Sequence, residues 1–403
     1  MAWLGIVVFS FFAGFTAVRY LIAAPLTMTG YAALALASFF FCLFMVLRLK
    51  KMKRRLAGVG LLLLFGIAGY LAACAVYLHP PEHEKALSIS SGRNPAQGHT
   101  AIIYFTHGEP RTYEGSFEAW KHAIHEMDET GVPFVPWPFR PFFFKKVRDE
   151  YFRVGGSFHN LIHGRAMERI EAAYRQTGDA NARCYLAFSD DAPHADEAAV
   201  QAINDGASRL ILLNVWLTDS DHSDMGRRQI EALQPEKYGV KLCVTDTLWK
   251  SEHLMKMIVE RVRKATGSMS RSDVGVLLVA HGQPVSWDVL FKKQPEQENS
   301  FRLETKKMLV AEGYRDEHIA LAYMEFKQPA IKTAVQELVA RGVKKVLVAP
   351  VNISAESIHS EHEIPSMVDQ AGAPPSIAVV HLGAWNDDQH LIDALLEGLA
   401  VCR

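Results

Sequence analysis

The stretch Val346-Leu-Val-Ala-Pro-Val-Asn-Ile-Ser-Ala-Glu-Ser-Ile-His-Ser-Glu-His-Glu-Ile-Pro365 decides the fold, because it joins a strand pattern to a group of polar side chains. Its apolar start, Val346 to Ala349, suits a parallel strand that is covered on both faces. Potential metal ligands follow this strand at Glu356, His359, Glu361, His362 and Glu363. Open α/β sheets bind ligands at the carboxyl ends of their strands. We therefore expect a functional site where this strand ends.

The same order of strands occurs twice after residue 100, which predicts two similar lobes. One half opens with Ala101-Ile-Ile-Tyr-Phe-Thr-His-Gly-Glu-Pro110, and the other opens with Val274-Gly-Val-Leu-Leu-Val-Ala-His-Gly-Gln-Pro284. Each opening is an apolar strand that ends in His-Gly-x-Pro, and three more strands alternate with amphipathic helices in each half. The predicted fold class is α/β, with two similar lobes that each hold a four-stranded parallel sheet flanked by helices.

Residues 1–78 differ from the rest of the chain because they contain three long apolar stretches. Two of them, Tyr31 to Leu47 and Leu56 to Leu78, are close to the ~20 residues needed to cross a bilayer. The stretch from Trp3 to Val18 is shorter, and a cleaved signal peptide is the alternative for it, but a basic n-region is missing. The predicted organisation is about three transmembrane helices over 1–78, a linker over 79–99, an N-terminal lobe over 100–266 and a C-terminal lobe over 267–403 that carries a metal site.

The segment between the second and third apolar stretches is strongly basic. Arg48-Leu-Lys-Lys-Met-Lys-Arg-Arg55 carries six positive charges, which is typical of a cytoplasmic loop. With three spans, the chain then crosses the bilayer once more before the globular part begins. We therefore predict a multi-pass membrane protein whose soluble domain is extracytoplasmic, and a span count different by one would reverse this orientation.

Charge and cysteine spacing exclude several classes of partner. Lys plus Arg number 43 and Asp plus Glu number 44, so the chain lacks the basic excess of a nucleic-acid binder. Its five cysteines form no CxxC pair, which argues against a zinc knuckle or an iron–sulfur cluster, and we expect no disulfide framework. The cysteines are Cys42, Cys74, Cys184, Cys243 and Cys402.

Three residues of the second half end neighbouring strands and could share one pocket. His281 ends the first strand, Glu325 ends the second and His359 follows the third. Two imidazoles and a carboxylate suit a divalent transition metal and leave coordination positions open. The same imidazoles could accept protons from a weakly acidic substrate, since histidine titrates near neutral pH. Glu363, with its neighbours Glu356 and Glu361, could relay metal ions or protons.

Each of these residues also has a structural interpretation. The His-Gly-x-Pro pattern could be only a tight turn between a strand and a helix. His359 and His362 could lie at a solvated helix start, with Glu363 favoured there by the helix dipole. The presence of all these residues at the strand ends of one lobe favours a site.

The first half holds a weaker version of the same pattern. His107 is present, but Ser189 and Asp190 stand near the position of Glu325, and strand counting places Ser223 near the position of His359. We therefore expect the first lobe to complete a cleft, with His107 in a turn or against the substrate.

The first half also carries a long insertion from Val132 to about Tyr174. Its aromatic, proline and arginine cluster is not expected to be one regular element. It could form a local core, an apolar lid with Arg140 and Arg148 near the carboxylates of a flat ligand, or a contact with the membrane surface. His159 and His163 are spaced for one helix face, but a capped, solvated helix start is favoured because no third ligand is evident.

These residues resemble a known family. In the second half, Leu278-Val-Ala-His-Gly-Gln-Pro284, Ala322-Tyr-Met-Glu-Phe-Lys-Gln-Pro329 and Ile358-His-Ser-Glu-His-Glu-Ile-Pro365 resemble the sirohydrochlorin cobaltochelatase/ferrochelatase family. In the first half, Arg148-Asp-Glu-Tyr-Phe-Arg-Val-Gly-Gly-Ser157 resembles protoporphyrin ferrochelatases, although Phe158 stands where those enzymes usually have proline. The resemblance covers residues 100–403 and points to the class II tetrapyrrole metal chelatase superfamily, with an added N-terminal membrane anchor.

The resemblance implies an enzyme that inserts Fe2+ or Co2+ into a tetrapyrrole. His281, His359 and Glu325 match the metal-binding residues, and Glu363 matches a position on an acidic helix face. The implied partners are a tetrapyrrole, a divalent metal and the membrane, with no nucleic acid and no cofactor beyond the metal substrate. The alternatives are a non-catalytic, membrane-anchored tetrapyrrole- or metal-binding protein, and a structural membrane protein with a decayed chelatase fold.

Overall fold

The structure is a computed structural model that describes residues 2–78, 87–90, 98–113, 124, 135–177 and 179–402. Most of the linker predicted over 79–99, the start of the insertion at 132–134 and the helix expected after the first strand lie outside these ranges. The chain forms two compact units. The first unit joins Met1–Lys85 to Thr112–Gly156, and the second joins Ala86–Arg111 to Ser157–Arg403.

The first unit contains three long apolar helices, as the hydropathy of the sequence predicts. They are α1 (Ala2–Ile22), α2 (Pro25–Leu47) and α3 (Met52–Leu78), and each is long and apolar enough to cross a membrane. Glycines let α1 and α3 approach closely: a Cβ atom at Gly14 would lie 1.9 Å from the carbonyl oxygen of Gly66. Small residues at such crossings are typical of helix packing inside membranes.

A fourth helix, α4 (Arg140–Val154), belongs to the same unit and follows a short 3-10 turn at Trp137–Phe139. Pro141 lies in its first turn, where a missing N–H group costs nothing, and Gly155 ends it with a φ of 82°. The expectation that the cluster is not one regular element is confirmed for its described residues, although fifteen of them form this one helix. The predicted N-terminal lobe over 100–266 includes this helix, whereas the contacts of the helix group it with the apolar helices.

The second unit contains two parallel sheets of the same topology, which confirms the predicted fold class. The strand orders are β2-β1-β3-β4 and β6-β5-β7-β8. The first set of elements is β1 (Thr100–Thr106), α5 (His159–Gln176), β2 (Arg183–Phe188), α6 (Ala195–Asn204), β3 (Arg209–Asn214), α7 (Asp221–Ala232), β4 (Lys241–Val244) and α8 (Glu252–Thr266). The second set is β5 (Val274–Ala280), α9 (Lys293–Ala311), β6 (Ile319–Tyr323), α10 (Ile331–Ala340), β7 (Lys345–Pro350), a π-helical turn (His359–Glu363), α11 (Ile364–Asp369), β8 (Ala378–His381) and α12 (Gln389–Ala400).

Short 3-10 turns connect several of these elements. They lie at Pro235–Tyr238, Leu248–Lys250, Arg271–Asp273, Val285–Val289 and Asp316–His318. The central strand β5 is buried throughout, which explains its unbroken apolar sequence. Leu278 in β5 pairs with Leu321 in β6 and with Ala349 in β7, so the carboxyl ends of these three strands lie side by side.

The two lobes share one hydrophobic core. A single cluster of buried side chains includes Ile102 and Leu213 of the first sheet, Val276 and Leu347 of the second, and Leu395 of α12. On α8, Arg261 donates hydrogen bonds to the carbonyl oxygen of Trp385 (2.9 Å) and to the carboxylate of Asp388 (2.9 Å). The predicted lobe boundary at 266/267 falls at the end of α8, a helix of the first lobe that bonds to residues of the second lobe. The boundary itself stays a prediction.

A disulfide bond joins the last strand of the first lobe to the end of the chain. Cys243 of β4 and Cys402, just after α12, are linked although 159 residues separate them. We expected no disulfide framework, and this single bond could not be predicted, because spacing in the sequence does not reveal that α12 ends beside β4. The other three cysteines are not disulfide-bonded.

Candidate active site

Two histidines of the second lobe lie next to each other at the carboxyl edge of its sheet. His281 follows β5 directly, and His359 begins the π-helical turn after β7. Their ring centroids are 5.4 Å apart and the ring planes meet at 73°. Strands β5 and β7 are paired neighbours, so the order of strands in the sheet brings the two imidazoles together.

The turn after His281 fixes the orientation of this ring. Gly282 has a φ of +84°, and a Cβ atom there would lie 2.4 Å from the carbonyl oxygen of Glu325, so only glycine fits. The Nδ1 atom of His281 is 2.8 Å from the carbonyl oxygen of Gly282. A carbonyl oxygen only accepts, so Nδ1 carries the proton and Nε2 keeps its lone pair. Burial, with the neighbouring charge of His359, lowers the pKa of His281 to about 4.

His359 is oriented by a carboxylate one turn further along the chain. Its Nδ1 donates a hydrogen bond to Glu363, whose side chain is 7% exposed, whereas that of His359 is 37% exposed. Burial alone would lower the pKa of His359, but the bond to Glu363 and the carboxylates of Glu363, Glu109 and Glu325 outweigh it and raise the pKa to about 9. A histidine whose Nδ1–H binds a carboxylate is a common arrangement for a metal ligand, because its Nε2 is left to coordinate.

Glu325 follows β6 and lies beside the same edge. Its N–H group donates to the carbonyl oxygen of His281 at 3.0 Å, and its carboxylate is close enough to influence the pKa of His359. Within the residues that the structure describes, however, no group of three His, Cys, Asp or Glu side chains is arranged to hold a metal ion. The predicted metal-binding role of His281, His359 and Glu325, and the catalytic role of Glu363, therefore stay predictions.

The first lobe contains a second pair of histidines at the equivalent edge of its sheet. The ring of His107 lies 6.1 Å from that of His222, which stacks on Trp216 at 5.5 Å. His107 also approaches Asp190, with Nε2 and Oδ2 3.2 Å apart. Strand counting had pointed to Ser223 instead, but Ser223 bonds to Ser220 at the start of α7. The histidine beside His107 is therefore His222, one residue before the position that strand counting gives. Single-residue differences of this kind are expected between the two diverged halves.

His159 and His163 lie in the first turns of α5, but they are not solvated. Their exposed fractions are 3% and 0%, so the predicted solvated helix start is wrong. His163 contacts the hydroxyl groups of Tyr104 (2.9 Å) and Ser354 (3.1 Å), and His159 contacts Ser354 at 3.5 Å. Because Ser354 belongs to the chain segment between β7 and His359, these two histidines help to hold that segment from the first lobe.

The arginines of the insertion bind backbone carbonyl groups of the first unit. Arg148 donates to the carbonyl oxygens of Tyr20 (2.7 Å) and Ala23 (3.3 Å), and Arg140 donates to that of Leu78 (3.4 Å). Both guanidinium groups are almost completely buried. This placement does not support the prediction that they bind the carboxylates of a ligand. The phenylalanines of the insertion differ in burial. Phe144 is buried in the apolar cluster of this unit, whereas Phe139 and Phe142 are exposed.

Glu109 was not among the predicted site residues, yet it contacts the segment that carries His359. Its carboxylate accepts a hydrogen bond from the N–H group of Ile358, with distances of 3.1 and 3.2 Å to its two oxygens. It also accepts one from the hydroxyl group of Ser157 at 2.6 Å. The sequence shows Glu109 only as the variable position of the first His-Gly-x-Pro, so no spacing rule could have found it.

The fold and this geometry agree with the relationships of the sequence. A sequence model of the ferrochelatase family matches residues 99–400. The chain belongs to the ferrochelatase family. This confirms the predicted relationship to the class II chelatase superfamily, and the matched residues begin just before β1 and include all of the predicted site residues.

Individual relatives in the ferrochelatase family and beyond it are distant. A ferrochelatase of Synechococcus elongatus is 24% identical over 291 residues, which cover 66% of this chain and 73% of the relative. A sirohydrochlorin cobaltochelatase of Methanothermobacter thermautotrophicus is 31% identical over 106 residues, or 26% of this chain and 63% of the relative. Among solved structures, SirB from Bacillus subtilis with Fe3+ is 13% identical, with a TM-score of 0.47 over 75% of this chain and 94% of that one.

Proposed function

We propose that this protein is a membrane-anchored metal chelatase that inserts Fe2+ or Co2+ into a tetrapyrrole of the porphyrin or sirohydrochlorin type. The observation that carries this proposal is the pair His281 and His359, whose rings are 5.4 Å apart at the carboxyl edge of β5 and β7 in a chain of the ferrochelatase family. Its ferrochelatase and sirohydrochlorin cobaltochelatase relatives support chelation of a metal by a tetrapyrrole and leave the metal and the macrocycle open.

In this proposal the metal substrate binds to the two imidazoles. The ligand atoms are Nε2 of His281, which keeps its lone pair, and Nε2 of His359, where the metal takes the place of the proton that the raised pKa favours. The carboxylate of Glu325 completes the set. Imidazole nitrogen and carboxylate oxygen bind Fe2+ and Co2+ well, and three protein ligands leave positions open for the nitrogens of the macrocycle.

Insertion also requires two protons to leave. A free-base macrocycle loses two pyrrole N–H protons as the divalent ion bonds to its four nitrogens, so the overall charge balances. An imidazole that releases the metal regains its lone pair and can accept one of these protons. The buried carboxylate of Glu363, bonded to Nδ1 of His359, stabilises the imidazolium and relays the proton onward.

A metal-insertion assay tests the proposal. The full chain in detergent is mixed with a free-base porphyrin or with sirohydrochlorin, and with Fe2+, Co2+ or Zn2+ under anaerobic conditions, and insertion is followed by absorbance. We expect His281→Ala and His359→Ala each to lower the rate by about 100-fold or more. The control is His253→Ala, which removes a partly exposed histidine of α8 whose Nε2 atom lies 3.7 Å from the carboxylate of Glu397.

Two outcomes would contradict the proposal. If the macrocycle binds but no metal is inserted in any combination, the protein is the non-catalytic tetrapyrrole-binding protein of the alternative hypothesis. If insertion occurs and both histidine variants retain the wild-type rate, the chemistry takes place elsewhere in the chain.

We also propose that the soluble domain lies outside the cytoplasm. The six positive charges of residues 48–55 favour a cytoplasmic loop between α2 and α3, so the chain after Leu78 emerges on the other side. The C-terminal ends of α1 and α3 both bond to the segment around α4, which fits an arrangement with these two ends on one side of a bilayer. The disulfide between Cys243 and Cys402 also suits an oxidising compartment.

A further inference from the structure

We infer that Glu109, which the first lobe contributes, is a positioning residue for His359 of the second lobe. The inference rests on the function proposed above. Glu109 follows β1 and its carboxylate accepts a hydrogen bond from the backbone N–H group of Ile358, the residue directly before His359. The two residues are 249 positions apart in the sequence, so this bond joins the lobes at the start of the helical turn that carries His359.

The carboxylate of Glu109 is itself held in place from several directions. The hydroxyl group of Ser157 donates to its Oε2 atom at 2.6 Å. The backbone N–H group of Glu109 donates to the side chain of Asn160 at 2.9 Å, and Asn160 in turn donates to Asp191 at 2.7 Å. With these contacts, the side chain of Glu109 has little conformational freedom to reach a metal ion. Both of its carboxylate oxygens also already accept hydrogen bonds. Its geometry therefore suits positioning better than coordination.

The backbone N–H group of Ile358 needs an acceptor from outside its own helical run. The first N–H groups of a helix have no acceptor within the helix. The π-helical turn and α11 form one helical run from His359 to Asp369, and Glu109 accepts from the N–H group just before it. His359 and Glu363 both belong to this run. The bond therefore fixes the position of the imidazole of His359 relative to the carboxyl edge of the sheet.

Other contacts hold the preceding segment, and Ser357 and Ser360 bond to each other within the turn, with N–H to Oγ distances of 3.0 and 3.4 Å. Ser354 is held by His163, and Glu356 is held by Asn386, whose side chain accepts from the N–H group of Glu356 at 2.9 Å. The contacts of Ser354 and Glu356 lie two or more residues before Ile358, and the bond of Ser357 to Ser360 is local to the turn, whereas Glu109 reaches the N–H group of Ile358 from the first lobe. Loss of the Glu109 carboxylate would therefore detach the end of the segment from the first lobe, while the beginning of the segment stays in place.

The test compares Glu109→Ala and Glu109→Gln with Glu197→Ala in the full chain in detergent. Glu197 is the matched control, since its carboxylate also accepts from a backbone N–H group, that of His194, at the start of α6. We expect Glu109→Ala to lower kcat for metal insertion by about 10-fold or more, with the Kd for the macrocycle unchanged within about twofold. Glu109→Gln, which keeps an acceptor oxygen at the same length, should recover part of the loss, and Glu197→Ala should keep the wild-type kcat.

A second measurement does not depend on activity. Hydrogen exchange of backbone amides, read by mass spectrometry, should become faster in Glu109→Ala only in the peptide that covers residues 351–363. If wild type inserts no metal but this local increase occurs, the positioning contact stands and the proposed function fails. Unchanged exchange in this peptide, an equal increase throughout both lobes, or an unchanged kcat in an active enzyme would each overturn the inference.

Discussion

His163 is an imidazole that the fold keeps neutral. It is fully buried between the hydroxyl groups of Tyr104 and Ser354. Burial, with a smaller contribution from the charge of His107, lowers its pKa to about 3. In the unfolded chain the same ring has an ordinary pKa of about 6.5, so the unfolded state binds a proton that the folded state excludes.

This difference predicts a loss of stability in acid. The contribution of His163 is fully present above pH 6.5 and is lost as the pH falls toward 3, at about 1.4 kcal/mol per pH unit, or about 2 kcal/mol between pH 6.5 and 5. The variant His163→Gln cannot titrate, so its free energy of unfolding should fall less over this range, although it is less stable at pH 7. Denaturant unfolding in detergent at both pH values measures the difference. Parallel pH profiles for the two proteins would contradict the prediction.

Residues at strand ends could be predicted from the sequence, and residues that act across the lobes could not. His281 and His359 were found because an apolar run locates a strand end and because parallel strands end side by side. The hydrogen bond of Glu109 to the backbone of Ile358 depends on how two distant loops meet. A backbone N–H group also has no sequence signature, so no residue pattern points to its partner.

At the scale of elements, α4 is attached to the ends of the apolar helices by its buried arginines. The last carbonyl groups of a helix have no partner within it, and the guanidinium group of Arg148 donates to two carbonyl oxygens at the end of α1. The side chain of Arg148 is only 3% exposed, so no water can easily replace it. Arg153, in the last turn of the same helix, is exposed.

Removing this attachment should destabilise the first unit. We expect Arg148→Ala to cost about 2–4 kcal/mol, because charged hydrogen bonds are lost and buried carbonyl groups are left unpaired. Limited proteolysis of the full chain in detergent, with the cleavage rate of the α4 segment as readout, measures this loss. Arg153→Ala is the control and should leave the rate unchanged. Equal cleavage rates for the two variants would contradict the prediction.

The sequence predicted most elements but not the shape of the helical turn that carries His359. Pro365 has no N–H group to donate to the carbonyl oxygen of Glu361, four residues earlier, so an ordinary helix is interrupted there. The wider π-helical turn from His359 to Glu363 precedes this proline. Ile-Pro is visible in the sequence, but the choice of a π-helical turn depends on how the neighbouring loops pack.

At the scale of the whole molecule, the repeat predicted two sheets of one topology, and the structure confirms them. The sequence could not show that the lobes share a core, because the contacts of α8 and α12 join residues far apart in the chain. Arg261 on α8, for example, reaches Asp388 just before α12. The orientation of the chain in a membrane also remains a prediction that rests on the charges of residues 48–55.

A reporter fusion tests this orientation. An enzyme that is active only outside the cytoplasm, fused after Arg403, should be active, because the chain after α3 is expected to be extracytoplasmic. The same reporter fused after Lys51, in the basic loop, is the control and should be inactive. The reverse pattern would place the soluble domain in the cytoplasm and would remove the compartment argument for the disulfide.

The bond between Cys243 and Cys402 makes most of the second half of the chain a closed covalent ring. Residues 267–273, which connect α8 to β5, lie inside this ring. A single cut by a protease in this connection would therefore leave both lobes in one covalent molecule. The protein can lose the continuity of its backbone between the lobes and still keep His107 and His359 in one molecule, until a reductant breaks the disulfide.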